Sequence, residues 1–410
     1  MPFLVCQKWI GSRKSLLALW WYIMGVAKKS PLYHEGGYTM KKILSMVLCV
    51  TLVAATMLTG CGKKDAETSG KSDVEVGVVL PTKDEPRWIQ DQGKFEEILS
   101  SAGFTNQVLF SQGSSATEKT NVETLISKGM KVLIICAQDA AAAASTVETA
   151  KEAGVTVIAY DRLITGTDAV DYYVTFDSVA VGEAMGTYLA SKASGTGNPL
   201  YLYAGAATDN NAFLFFQGAW NILQPKIADG TFVIANSTEA EALKDKATLT
   251  HEELAAIIGQ VTTDWDFNVA KSKAEAHLTA AAAEMKGDVF ILAPNDGTAR
   301  SIADTFAADS AVTSYFVTGQ DSEKASVQYV IDGKQSMTVF KDTRTLASDA
   351  VTMALAIMKN EKPATDSTYN NQKIDVPAKQ TPIVVVTQDN VKSALIDSEY
   401  YKASDFTGLE

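Results

Sequence analysis

Lys131-Val132-Leu133-Ile134-Ile135-Cys136-Ala137 leads into the alanine-rich stretch Ala140–Ala153, then Gly154, then Val155-Thr156-Val157-Ile158-Ala159-Tyr160. Both apolar runs have strand length and lack polar alternation, so they read as strands covered on both faces. The stretch between them has the length and composition of a helix. Gly154 follows it where a left-handed C-cap is needed. Strand, helix, strand at this spacing is a βαβ unit, and it commits the chain to a parallel sheet.

The pattern extends outward in both directions. Before it come strands at Glu75–Leu80 and Val108–Phe110, a helix that buries Phe95, Ile98, Leu99 and Ala102 and stops at Gly103, and a helix at Ala116–Lys128 closed by Gly129. After it comes a strand at Tyr172–Phe176. A second series then places strands at Leu200–Tyr203, Phe232–Ile234, Val289–Ala293 and Tyr315–Thr318. Its helices are Asn211–Ala228, Asn268–Met285 and Thr298–Ala308, and Ser336–Phe340, Arg344–Lys359 and Thr381–Val386 complete the set. Residues 236–264 show no clear period and read as an elaborated loop and helix. The expected fold class is α/β, with two similar Rossmann-like lobes whose parallel sheets face each other across a cleft. The roughly 335 residues available exceed what one core usually supports.

Upstream, Lys41-Lys42, the apolar core Ile43–Leu58 and a small-residue cleavage site make a secretory signal at residues 40–60. The core is shorter than the roughly 20 residues a membrane span needs. Leu58-Thr59-Gly60-Cys61 resembles the lipobox of bacterial lipoproteins. That resemblance implies that Cys61 carries a diacylglyceryl group, becomes the mature N-terminus and anchors the protein to the outer face of the cytoplasmic membrane. Residues 61–73 are small, polar and charged, as a flexible tether is. Residues 1–39 precede a good start at Met40 and read as mis-annotated upstream sequence. A second signal stacked before the first has no physical logic, and Glu35-Gly36-Gly37 could be encoded by a purine-rich ribosome site.

Seven of the 36 Lys/Arg and one of the 48 Asp/Glu lie in residues 1–60, leaving 29 and 47 from Cys61 on, a formal charge of −18. Such a surface repels phosphate backbones, so nucleic-acid partners are not expected. Of the four cysteines, only Cys136 lies beyond the leader and lipid site. A lone thiol in an apolar strand reads as inert packing, without a disulfide framework.

No catalytic constellation is present. His251-Glu252-Glu253-Leu254 lacks the second histidine of a zinc-protease helix. Gly70-Lys71-Ser72 lacks the earlier glycine of a phosphate loop, and Gly195-x-Gly197 lacks the third glycine and preceding strand of a dinucleotide site. Neither a metal nor a cofactor is expected.

Polar and charged groups instead cluster just after the strands, where open α/β sheets bind ligands. They are Pro81-Thr82-Lys83 with Arg87-Trp88, Tyr160-Asp161-Arg162-Leu163, Thr208-Asp209-Asn210-Asn211, Pro294-Asn295-Asp296-Gly297, Gly319-Gln320-Asp321 and Lys341-Asp342. Each sugar hydroxyl both donates and accepts, so carboxylates take its O–H groups while Arg, Lys and Asn donate to its oxygens. The C–H faces of a pyranose stack on indoles. A neutral ligand requires the protein charges to pair among themselves, as Asp161 with Arg162 and Asp321 with Lys341 could. Asn211 and Asn268 have a plainer reading as helix N-caps.

Taken in order, Pro81-Thr82-Lys83-x-x-x-Arg87-Trp88, Tyr160–Leu163, Asp209–Ala212, Gly319–Asp321, Phe340–Arg344 and Tyr369-Asn370-Asn371 resemble the periplasmic sugar-binding proteins of ABC importers. The multiple-monosaccharide and xylose-binding members are the most alike, and the likeness runs from about residue 74 to the end. It implies a type I periplasmic binding protein fold with lobes of 74–177 plus 342–379 and 178–341 plus 380–410. The three hinge crossovers would lie near Asp177, Lys341 and Lys379. It implies that Arg87, Asp161, Arg162, Asn211, Asn295, Asp321 and Lys341 bond a monosaccharide of the xylose, galactose, glucose or arabinose class, with Lys83 and Asn210 close by. Trp88 and Trp265 would cover its two faces. The implied partners are an ABC permease and ATPase, and the implied state is a monomer without enzymatic activity. Departures at Glu85, Pro86 and Ser322 leave the sugar open.

Two other readings keep the fold: a sensor that hands sugar occupancy to a chemoreceptor or histidine kinase, and a binder of nucleosides. A transcription factor of this fold would need a DNA-binding helix pair before residue 74. Peptide mapping of source membranes should find no peptide from residues 1–39; one such peptide overturns the assigned start at Met40.

Overall fold

A computed structural model describes residues 74–409, so the signal, lipobox and tether expectations lie outside the described residues. A seven-stranded sheet has the order β11-β12-β5-β4-β3-β1-β2. Its strands are β1 (Val76–Leu80), β2 (Asn106–Phe110), β3 (Val132–Ile135), β4 (Thr156–Tyr160), β5 (Tyr172–Phe176), β11 (Ser367–Asn370) and β12 (Asp375–Thr381). All pairings are parallel except β11–β12. Every residue of β3 is buried, with one apolar cluster on each face of the sheet. That is why the run at 132–137 has no polar alternation.

The second sheet has the order β7-β6-β8-β9, from β6 (Asn198–Leu202), β7 (Phe232–Ile234), β8 (Gly287–Leu292) and β9 (Val312–Val317). A two-stranded ribbon, β10 (Thr338–Lys341) with β13 (Ile383–Val386), joins its edge through a bridge between Gln320 and Val339. The chain passes between the two layers three times: at Asp177, after β5; at Asp342, after β10; and at Pro382, between β12 and β13. Lys379 is not a crossing point, because it pairs with Val174 inside the first sheet.

Helices α1 (Pro86–Ser101), α2 (Ser115–Ser127), α3 (Ala144–Glu152) and α11 (Thr343–Met358) accompany the first sheet. Around the second lie α4 (Ser178–Lys192), α5 (Asn210–Ala228), α6 (Thr238–Ala242), α7 (His251–Val261), α8 (Phe267–Ala280), α9 (Asp296–Ala308) and α10 (Lys324–Ile331). Gly129 and Gly154 adopt positive φ, 89° and 79°, after α2 and α3. Residues 236–264 hold α6 and α7. His251-Glu252-Glu253 opens α7 with a capping box, in which Thr250 and Glu253 each accept from the other's N–H.

The expected helix at Asn268–Met285 ends at Ala280; Ala281 is extended and a separate 3₁₀ turn spans Ala283–Met285. Helices α4 and α10 and the β11–β12 hairpin were not expected. In α4 the buried residues are Ser178, Val181, Gly182, Met185, Gly186 and Leu189. The glycines let α4 and α5 touch backbone to backbone. A Cβ on Gly182 would fall on the Phe215 carbonyl, and one on Gly218 on the Val179 carbonyl. Since α5 carries Asn211 and Phe215, this packing sets their depth. Gly182→Ala should therefore cost about 1–3 kcal/mol, the usual range for overpacking, read as a lower urea midpoint at unchanged m-value.

Candidate functional site

The carboxyl ends of the two sheets face each other across a narrow cleft. It is lined by Glu85, Arg87, Trp88, Asp161, Arg162, Asp209, Asn211, Phe215, Trp265, Asn295, Gln320, Asp321 and Lys341. Nine of the eleven sequence candidates are in this set. Lys83 is exposed, its ammonium 4.7 Å from the Phe110 ring centre, and Asn210 turns into a separate crevice with Asp139 and His251. Glu85, Asp209, Phe215 and Gln320 were not among the candidates. Asp209 and Gln320 stood inside motifs already singled out, whereas Phe215 is indistinguishable in sequence from a core residue of α5.

Arg87, in the first turn of α1, joins both layers. Its Nη2 donates to Asp161 Oδ2 at 2.5 Å, its Nη1 to Asp321 Oδ1 at 3.5 Å, and its Nε lies 3.7 Å from Asp91 Oδ2. Lys341 Nζ lies 2.7 Å from Asp321 Oδ1, as expected. The expected pairing of Asp161 with Arg162 is replaced. Asp161 has φ 63°, and adjacent side chains there diverge: its carboxylate meets Arg87, while Arg162 Nε lies 2.9 Å from Asp209 Oδ2. Arg162 also donates through Nη1 to the Ala137 carbonyl at 3.3 Å.

Burial alone would raise the Asp161 carboxyl, but Arg87 and then Lys341 hold it below the usual carboxylate range. Asp209 is raised by burial, a shift that Arg162 only partly offsets. Asn211 is not the cap of α5; Asp209 is, leaving Asn211 Nδ2 to donate to the Asp161 carbonyl at 2.8 Å. Asp266 likewise caps α8 in place of Asn268, and Asn295 caps α9 through Oδ1.

Trp88 is buried, with the Arg87 and Arg162 guanidinium carbons 4.6 and 5.2 Å from its ring centre. Trp265 comes from the other layer at φ 61°, an unusual angle for a bulky residue. Its indole lies on Gly205, where any Cβ would enter the ring. Trp265 Nε1 and Gln320 Oε1 are buried without a protein hydrogen-bond partner. Planar aromatic walls around paired charges and free donors and acceptors can hold a flat, neutral, hydroxyl-rich molecule.

A family model described as a periplasmic binding protein domain matches residues 76–362. The multiple sugar-binding periplasmic protein of Azospirillum brasilense is 33% identical over 341 residues, 81% of this chain and 90% of that protein. The D-xylose-binding periplasmic protein of Escherichia coli is 27% identical, with 87% and 98% covered. A crystal structure of a carbohydrate transporter solute binding protein from Chloroflexus aurantiacus, in complex with D-glucose, superposes with a TM-score of 0.81. It is 69% identical, with 82% of this chain and 98% of that one covered. An ABC transporter solute binding protein from Clostridium phytofermentans with bound β-D-glucose gives 0.71 at 34% identity, with 80% and 99% covered.

Asp91, fully buried beneath the cleft between Arg87 and the Tyr160 hydroxyl, is pushed up to about 7 by burial, with Arg87 opposing and Asp161 adding to the shift. A carboxyl raised on folding contributes stability that is complete at low pH and lost as pH rises through about 7. Asp91→Asn lacks that component. Parent stability minus variant stability, from urea unfolding, should fall between about pH 4 and 7 and stay flat above; a flat difference throughout refutes the assignment.

Proposed function

The chain belongs to the periplasmic binding protein domain family, and from that premise we propose that it is an extracytoplasmic, lipid-anchored sugar receptor of an ABC importer. Asp161, Asp321, Arg87, Lys341, Asn211 and Asn295 would bond an aldopyranose between Trp88 and Trp265, with Arg162 at its rim. The observation that carries this reading is the composition of the cleft. Residues from both layers meet there, every cation has a carboxylate partner, and an indole stands on each side. Glucose is the leading candidate, because two similar solved proteins hold it; the likeness to a xylose-binding protein keeps pentoses in the class.

In this reading residues 74–177 plus 342–381 and residues 178–341 plus 382–410 act as two lobes that turn about the three crossovers. The sugar stabilises the closed arrangement because only there do both sets of side chains reach it. Closure then gives the membrane permease a surface to distinguish. A monomer tethered through Cys61 delivers its cargo without leaving the membrane surface.

A thermal-shift panel of glucose, xylose, galactose, arabinose, ribose and fucose, on protein starting at Gly62, tests the reading. A true ligand at a thousandfold excess over Kd adds about 4 kcal/mol to stability, and no shift with any sugar sinks it. Asp161→Ala should weaken binding at least ~tenfold, the effect of removing one partner of a buried hydroxyl. Calorimetric affinities equal to the parent's would remove Asp161 from the site.

A further inference from the structure

One short stretch of the second layer, Thr208–Asn211, touches the first layer at three points, and each contact is between protein groups alone. The Ala140 N–H donates to the Thr208 carbonyl at 2.9 Å. Arg162 Nε lies 2.9 Å from Asp209 Oδ2, with the side chains only 5% and 3% exposed. Asn211 Nδ2 donates to the Asp161 carbonyl at 2.8 Å.

The local structure aims these groups across the cleft. Asp209 uses Oδ1 to accept from Asn211 N–H at 2.9 Å, which leaves Oδ2 for Arg162. On the opposite side Asp139 Oδ1 accepts from the N–H groups of Ala141 and Ala142. The Ala140 N–H between them is left to reach Thr208.

Both ends lie well away from the crossovers. Ala140 follows β3, which is separated from the crossing strand β5 by β4. Thr208 follows β6, which is separated from the β10 crossover by β8 and β9. A rotation about Asp177, Asp342 and Pro382 parts Ala140 from Thr208, whereas Asn211, whose Oδ1 accepts from Ser178 Oγ beside the first crossover, lies nearer the axis.

We infer that Thr208–Asn211 is a clasp that favours the closed form before any sugar arrives, and that Asp209 is a positioning residue acting through Arg162. The inference rests on the sugar-receptor reading for its affinity readout. A clasp that contributes to closure alone multiplies every ligand's affinity by one common factor. Selectivity stays with the groups that touch the ring.

Asp209→Asn keeps the Oδ1 cap and removes the charge facing Arg162; Asp209→Ser, also a cap former, replaces it should the first variant not fold. Calorimetric titration with D-glucose and D-xylose should show both affinities falling by the same factor, about tenfold for loss of a charged partner, at an unchanged glucose-to-xylose ratio. Unchanged affinities overturn the clasp, and so does a changed ratio, which would mean that Asp209 touches the sugar. If the parent binds no sugar of the six-member panel, the receptor reading falls and X-ray scattering of ligand-free protein decides the clasp. A larger radius of gyration in the variant upholds it, and identical radii overturn it.

Discussion

Arg87 holds two sheets' carboxylates at once, and the cleft is organised around that guanidinium. Asp161 comes from the first layer and Asp321 from the second, and Lys341 takes the remaining side of Asp321. Removing one such group from water costs several kcal/mol unless it is paired and hydrogen-bonded. Here each charge has a partner before any ligand enters. Such a chain has few alternative arrangements, so its donors and acceptors are already placed for a guest. Preorganisation of this kind spares the cost of ordering side chains during binding.

The same network explains where the backbone is strained. Asp161 and Asp321 sit at φ 63° and 99°, a region costly for residues with side chains. Each is tied down from several directions. The Asp161 carbonyl accepts from Tyr173 Oη and Thr175 Oγ1 as well as Asn211, while its N–H donates to the Val174 carbonyl. Asp321 N–H donates to the Val339 carbonyl, and the Ser322 carbonyl accepts from Tyr401 Oη at 3.0 Å. Buried Asp296 completes the support of this loop through Glu323 N–H and Gln335 Nε2. The C-terminal residues thus brace a loop some eighty positions earlier in the chain.

Much of this was legible in sequence because strands buried on both faces announce themselves. Val132–Ala137 and Val155–Tyr160 needed no partner information to be read, and groups following such strands must lie at one edge of the sheet. Other features depend on contacts that one-dimensional spacing does not encode. Helix α4 meets α5 backbone to backbone through glycines, a close approach that hydrophobic spacing does not mark, and the β11–β12 hairpin alternates too weakly to stand out. The Asp161–Arg87 pairing was missed because it depends on a positive φ, which turns neighbouring side chains apart. Asp209 stood within a motif but was not singled out there. Only the fold shows its second oxygen facing Arg162.

Charge balance in the cleft decides what class of molecule fits. Three cations, Arg87, Arg162 and Lys341, share it with four carboxylates, Glu85, Asp161, Asp209 and Asp321. An anionic ligand would have to take a cation from its partner and leave a buried carboxylate unpaired, which costs more than the new contact returns. A cationic ligand meets the opposite obstacle, since it must come within reach of Arg87 and Lys341. A neutral ring carrying hydroxyls asks for neither exchange. Its O–H groups use carboxylate lone pairs that the cations leave free, and its oxygens accept from N–H groups already fixed in place. Discrimination between sugars then falls to how well each hydroxyl meets a group already fixed in place, because an unmet buried partner is penalised.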